Sequence, residues 1–124
     1  MKHAVHEFLL GTDSFTEEQL GQGVNCTNLV QDSPLIVACN YQIIDAVQHL
    51  IALGADLNWQ GEFGFSPLHC AVYRGNSDLV RVLLRAGADW TITDHAGETP
   101  LELARSCGKL HIADLMVSLG YGAA

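Results

Sequence analysis

The chain has 124 residues, 48% of them hydrophobic, and its 14 Asp and Glu outnumber 6 Lys and Arg to give a net charge of −8. That length supports one buried core rather than two ordinary domains, and no apolar run approaches the roughly 18 to 20 residues that cross a bilayer. The charge opposes attraction to phosphate backbones and anionic lipid, so neither nucleic acid nor membrane insertion is expected.

In chain order, the N-terminal MKHAVHEFLLGTDS lacks the apolar segment and small-residue cleavage site of a secretory signal. An intracellular protein, cytoplasmic or nuclear, is therefore expected. Acid is concentrated early: residues 1–65 hold one basic and eight acidic residues, whereas residues 66–124 hold five and six. Asn25-Cys26-Thr27 forms a glycosylation sequon, which is idle unless the chain is secreted. The cysteines at 26, 39, 70 and 107 form no CxxC pair, and the histidines at 3, 6, 49, 69, 95 and 111 are scattered. Reduced thiols, no metal site and no cofactor follow.

From residue 33 onward the sequence repeats. Pro34, Pro67 and Pro100 are spaced by 33 residues, as are Ala38, Ala71 and Ala104, and Gly54, Gly87 and Gly120. Leu35, Leu68 and Leu101 follow the prolines, and Leu50, Leu83 and Met116 precede the glycines by four. Each unit begins with Ser33, Ser66 or Thr99 before its proline, a hydroxyl N-cap followed by Pro at the first helical position. A first helix of about two turns is broken at Tyr41-Gln42, Gly75-Asn76 and Gly108-Lys109. A second follows as IIDAVQHLIAL, DLVRVLLRA and LHIADLMVSL. In the middle one Leu79, Val80, Leu83 and Leu84 make an inward stripe and leave Arg81 and Arg85 outside; glycine then stops it. ADLNWQGEFGF and ADWTITDHAGE connect the units as turn-rich, hairpin-like fingers. Such helix pairs bury their faces only by stacking, so the expected fold is an all-α solenoid.

SPLHCAVYRGNSDLVRVLLRAGAD at 66–89 and AGETPLELARSCGKLHIADLMVSLGYGA at 96–123 resemble the ankyrin-repeat family. The resemblance covers residues 28–122 and implies an α-solenoid of stacked helix-turn-helix units with β-hairpin-like fingers. It divides one continuous domain into repeats at 28–60, 61–93 and 94–124, the last ending the array or cut there. Residues 1–27 fit loosely, LGQGVN at 20–25 aligning with LGADLN at 53–58, with Glu17 and Glu18 standing where Leu50 and Ile51 do. They are expected to be a divergent, polar-faced N-terminal cap with helices near residues 3–9 and 14–20. The family's finger aspartate is present as Asp94, whereas Asn28 and Gly61 hold its place elsewhere, which predicts less regular turns there.

No arrangement of residues calls for catalysis. The resemblance implies that His69 hydrogen-bonds within and between fingers, and no nucleophile or carboxylate is paired with it in the motif. Asp78, Asp89, Glu98, Glu102 and Asp114 fall on solvated faces. Cys39, Cys70 and Cys107 read as small buried hydrophobes, with Cys107, near Arg105 and Lys109, the least secure. Asn58, with Leu50, Asp56 and Leu57, looks like the pattern at which ankyrin domains are hydroxylated on asparagine, although the same residues are ordinary for the family.

Members of the family usually hold partners at finger tips and on the exposed side of the first helices. Here those positions hold Trp59, Gln60, Glu62, Phe63 and Phe65 in one finger and Thr93, His95, Ala96 and Glu98 in the next. On the first helices they hold Asn40, Tyr41, Tyr73, Arg74, Ser106 and Cys107. Trp, Tyr and Arg anchor many protein interfaces; Trp59 and Phe65 read equally well as side chains packed on the finger bases. The expected function is that of a scaffold, adaptor or steric inhibitor that binds an unidentified protein and is monomeric by itself. An alternative is the ankyrin segment of a larger signalling regulator, such as an Arf GTPase-activating protein with its catalytic domain elsewhere. A self-contained enzyme is the third and weakest reading.

Overall fold

In a computed structural model, which describes residues 3–122, the chain is helical, and no strand occurs among the described residues. The helices in order are α1 (His3–Gly11), α2 (Glu17–Leu20), α3 (Pro34–Asn40), α4 (Ile44–Ala52), α5 (Pro67–Arg74), α6 (Ser77–Arg85), α7 (Pro100–Ser106) and α8 (Leu110–Ser118). They pair as α3 with α4, α5 with α6 and α7 with α8, and the pairs stack so that α3 meets α5 and α5 meets α7. The result is a solenoid of about three repeats behind a short N-terminal cap.

The repeated residues do the work their chemistry predicts. Ser33, Ser66 and Thr99 hydroxyls accept the N–H groups of Ile36, His69 and Glu102 at 3.3, 3.3 and 3.2 Å, satisfying a donor that the start of a helix leaves free. Leu35, Leu68 and Leu101 are buried, as are Ala38, Ala71 and Ala104, so the first helices approach closely where only a methyl intervenes. Leu50, Leu83 and Met116 fill the layer between first and second helices with no exposure at all. Leu79, Val80, Leu83 and Leu84 face inward while Arg81 and Arg85 are exposed.

The cap departs from expectation at its second helix, which starts at Glu17 rather than near residue 14. Thr16 is the N-cap: its hydroxyl accepts the Gln19 N–H while the Gln19 side chain accepts the Thr16 N–H. Upstream, Ser14 donates its N–H to Thr12 Oγ1 and Phe15 is buried, so these residues form a turn that plugs the core. Val5 and Leu9 of α1 are also buried, and α1 rests on α3.

The fingers close as hydrogen-bonded turns. At one register, Asn28, Gly61 and Asp94 donate their N–H groups to the carbonyls of Asp32, Phe65 and Glu98 at 2.9, 3.0 and 2.9 Å. Asp94 Oδ1 also accepts the Ala96 and Glu98 N–H groups, and Asn28 Oδ1 accepts those of Val30 and Asp32. Asparagine thus replaces aspartate without disturbing the first finger, contrary to the expected irregularity. At Gly61 the expectation holds, because no side chain is there to bridge the turn. The chain instead takes a single 3-10 turn, Glu62–Gly64, with Phe63 at φ 62°. The Asp32 carboxylate of the preceding finger accepts the Glu62 N–H at 2.9 Å, and a Cβ at residue 61 would collide with it.

Candidate functional site

Finger tips repeat at the same register: Leu29-Val30, Glu62-Phe63 and His95-Ala96. Phe63 is 67% exposed and Tyr73, on α5, is 49% exposed. Between them Phe65 is half-buried, stacked on His69 at 5.6 Å and in contact with both Phe63 and Tyr73, at 6.1 and 5.9 Å. This aromatic row forms one wall of a groove of about 420 Å³ between the fingers and the first helices α3 and α5, whose other walls include Asp32, Asn40, Glu62 and Arg74. The Arg74 guanidinium lies over the Tyr73 ring at 5.6 Å, and its Nε donates to Asn40 Oδ1 at 3.4 Å. A second hollow, of about 440 Å³, lies on the other side of Phe63 and Phe65 and brings in His95 and Glu98.

Glu62, Phe63, Phe65, Tyr73 and Arg74 are therefore gathered in the first groove, and His95 and Glu98 adjoin it across the aromatic row. The remaining candidates sit apart. Tyr41 meets Phe8 of the cap edge-on at 5.6 Å. Trp59 donates its Nε1–H to the Gln31 carbonyl at 2.6 Å, which ties one finger to the one before it. Ser106 is exposed and donates its hydroxyl back to the Leu103 carbonyl. Asn58, although exposed, accepts the Asp89 N–H at 2.8 Å, as Asn25 accepts that of Asp56 one repeat earlier, also at 2.8 Å. A link between repeats thus engages the Asn58 side chain. Sequence reasoning passed over Leu29, which is 93% exposed, and Asp32 in the groove. Stepping back 33 residues from Glu62 finds the first, whereas the second depends on a contact with the neighbouring finger.

Electrostatics in the groove disfavour nucleophilic chemistry. Burial pushes the Cys70 thiol up to about 12, with the Asp32 charge adding to the rise, so it stays protonated near neutrality. Burial likewise holds the Cys39 thiol well above its usual range. Asp32 is raised by burial first and by the neighbouring Glu62 charge, against the lowering effect of the Glu62 N–H. Among the described residues no three His, Cys, Asp or Glu side chains cluster as metal ligands.

His69 is fully buried behind Phe65. Its Nε2–H donates to the Glu98 carbonyl at 2.9 Å, and its Nδ1 accepts from Ser66. That pattern requires the neutral ring, and burial lowers its pKa from 6.5, only partly offset by the Glu98 carbonyl and the Asp94 and Glu98 charges. As pH falls through about 6.5 the unfolded chain takes up a proton that the folded chain resists. Stability contributed by neutral His69 is thus complete above that pH and is lost below it, down to the lower folded pKa. Urea midpoints measured between about pH 8 and pH 5 should fall with acid, and more steeply for the wild type than for His69→Gln. Parallel curves would contradict the assignment.

The model for ankyrin repeats in many copies matches residues 50–104, and the model for the single ankyrin repeat matches residues 31–62. The chain belongs to the ankyrin-repeat family. It is 36% identical over 91 residues to an ankyrin repeat protein of Acanthamoeba polyphaga mimivirus, covering 70% of this chain and 12% of that protein. It is 39% identical over 85 residues to the 2-5A-dependent ribonuclease of Homo sapiens, covering 67% of this chain and 12% of the ribonuclease. Identity to ankyrin repeat and SOCS box protein 11 of Mus musculus is 33% over 98 residues, covering 79% of this chain and 28% of that protein. The chain therefore spans between 12% and 28% of the length of these relatives. Ankyrin repeats are in general non-catalytic modules that bind proteins. Among the described residues no helix of this one is long and apolar enough to cross a membrane.

Proposed function

We propose that this ankyrin array binds a partner protein through its finger tips and the concave side of its first helices, as a scaffold, adaptor or steric inhibitor, and performs no catalysis itself. The observation that carries the reading is the aromatic row of Phe63, Phe65 and Tyr73 beside a groove with polar walls. Phe63 and Tyr73 leave much of their apolar surface in water in the free fold. Covered by a partner, they become the central anchors of an interface. Leu29 and Val30, at the same register of the neighbouring finger tip, are exposed as well. The proposed binder is an intracellular chain, monomeric by itself.

A second reading has the array as one part of a longer regulator, and the small share of each relative that it spans supports this. Any catalysis would then belong to residues outside the array. The Arf GTPase-activating version of that reading gains nothing from these relatives. Affinity capture with wild-type bait and with a Phe63→Ala, Tyr73→Ala bait, followed by mass spectrometry, tests the main proposal. A protein retained by the first and lost from the second supports it. Identical captures would show that binding lies elsewhere.

A further inference from the structure

The groove contains a buried acid with no counter-cation among the described residues. Asp32 is only 8% exposed, its Oδ1 accepts a single N–H, that of Glu62, and the residue lines the groove. Ion pairs among the described residues join His3 to Glu7 and His6 to Glu17, all in the cap, and none reaches Asp32. Arg74, on the same groove, is directed to Asn40 and to the face of Tyr73. Residues 1–65 contain one basic residue against eight acidic ones, so the surrounding sequence offers little to neutralise the site. A carboxylate this little exposed, with one N–H on its Oδ1 and no cation beside it among the described residues, is only partly compensated for the water it has lost, and a cation from outside would complete the compensation.

Resting on the reading that a partner protein binds the concave face, we propose that this groove receives a lysine or arginine side chain of that partner. Its cation would lie against the Asp32 and Glu62 carboxylates and its aliphatic stem along Phe63, Phe65 and Tyr73. Three features suit such an occupant. The paired acids supply charge where a partner excludes water and strengthens the attraction; aromatic faces attract cations; and long basic side chains bury their stems on apolar surface while the head stays polar. The competing occupant is an acidic side chain drawn to Arg74.

Random dodecapeptides displayed on phage and selected against the intact chain supply the probe. Selected peptides should share a lysine or arginine, and replacing it with norleucine should weaken binding about thirtyfold or more, as loss of one partner of a buried charge pair does. Asp32→Asn keeps an oxygen to accept the Glu62 N–H. It should weaken the basic peptide to a similar degree while leaving the norleucine peptide unaffected. If that variant melts early, Glu62→Gln at the exposed neighbour carries the same comparison. Peptides weakened by Phe63→Ala and Tyr73→Ala, yet lacking a basic position or relying on an acidic one and Arg74, would overturn the cation site and leave concave-face binding intact. Peptides indifferent to every groove substitution, or no enrichment at all, would overturn both.

Discussion

Leu83→Ala is expected to destabilise the fold by roughly 2 to 5 kcal/mol, the range for deleting a fully buried leucine side chain and leaving a cavity. Leu83 has no exposure and lies in the layer that Leu50 and Met116 occupy in the flanking repeats. Collapse around the cavity is limited, since α6 is held on one side by α5 and on another by α8. Arg81, two residues away on the same helix, is exposed and makes no ion pair among the described residues. Arg81→Ala should therefore stay within about 0.5 kcal/mol. Chemical denaturation of the two variants checks the helix register, and similar losses would show it to be wrong.

Gly64→Ala is the second substitution with a large expected effect, about 2 kcal/mol or more from strain and overpacking together. The backbone at Gly64 has φ 72°, and a Cβ there would stand 2.7 Å from the His95 backbone nitrogen in the next finger. Positive φ alone does not account for the size of the effect. Phe63, with φ 62°, carries a full side chain that is 67% exposed, so a Cβ at such a φ is tolerated in this turn where no neighbouring finger crowds it. What distinguishes Gly64 is the close approach of two fingers, fixed by the His95 N–H donating to the Phe63 carbonyl at 3.0 Å. Thermal unfolding should show a large drop for Gly64→Ala and little change or a gain for Phe63→Gly. A neutral Gly64→Ala would mean that the fingers are not locked together in this way.

Much of the scaffold was legible because it is set by local chemistry repeated at one interval. A hydroxyl before proline can start a helix at residues 33, 66 and 99 without knowledge of anything distant, and the leucines and alanines at matching positions then share one core. The start of α2 was legible too, in the Thr16-Glu17-Glu18-Gln19 capping box, but Ser14 two residues earlier offered a competing hydroxyl cap. Less of the groove was open to such reading. Asp32 owes its place to the missing side chain at Gly61, 29 residues later, and the pairing of Trp59 with the Gln31 carbonyl spans two fingers. Neither relation leaves a pattern in the local sequence. Phe65 was balanced between core and contact surface, and it serves as both: it stacks on buried His69 and lines the groove.

The central claim is that the concave face binds. Titration calorimetry of a captured partner against variants on opposite faces tests it most directly. Phe63→Ala and Tyr73→Ala should each weaken binding by about 2 kcal/mol or more, a loss of about thirtyfold, with melting temperatures little changed. Arg85→Ala and Asp114→Ala, at exposed positions on α6 and α8, should leave affinity nearly as it was. If the α6 and α8 substitutions abolished binding and the two groove substitutions had no effect, the partner would sit on the convex back, and the proposed binding surface would be wrong.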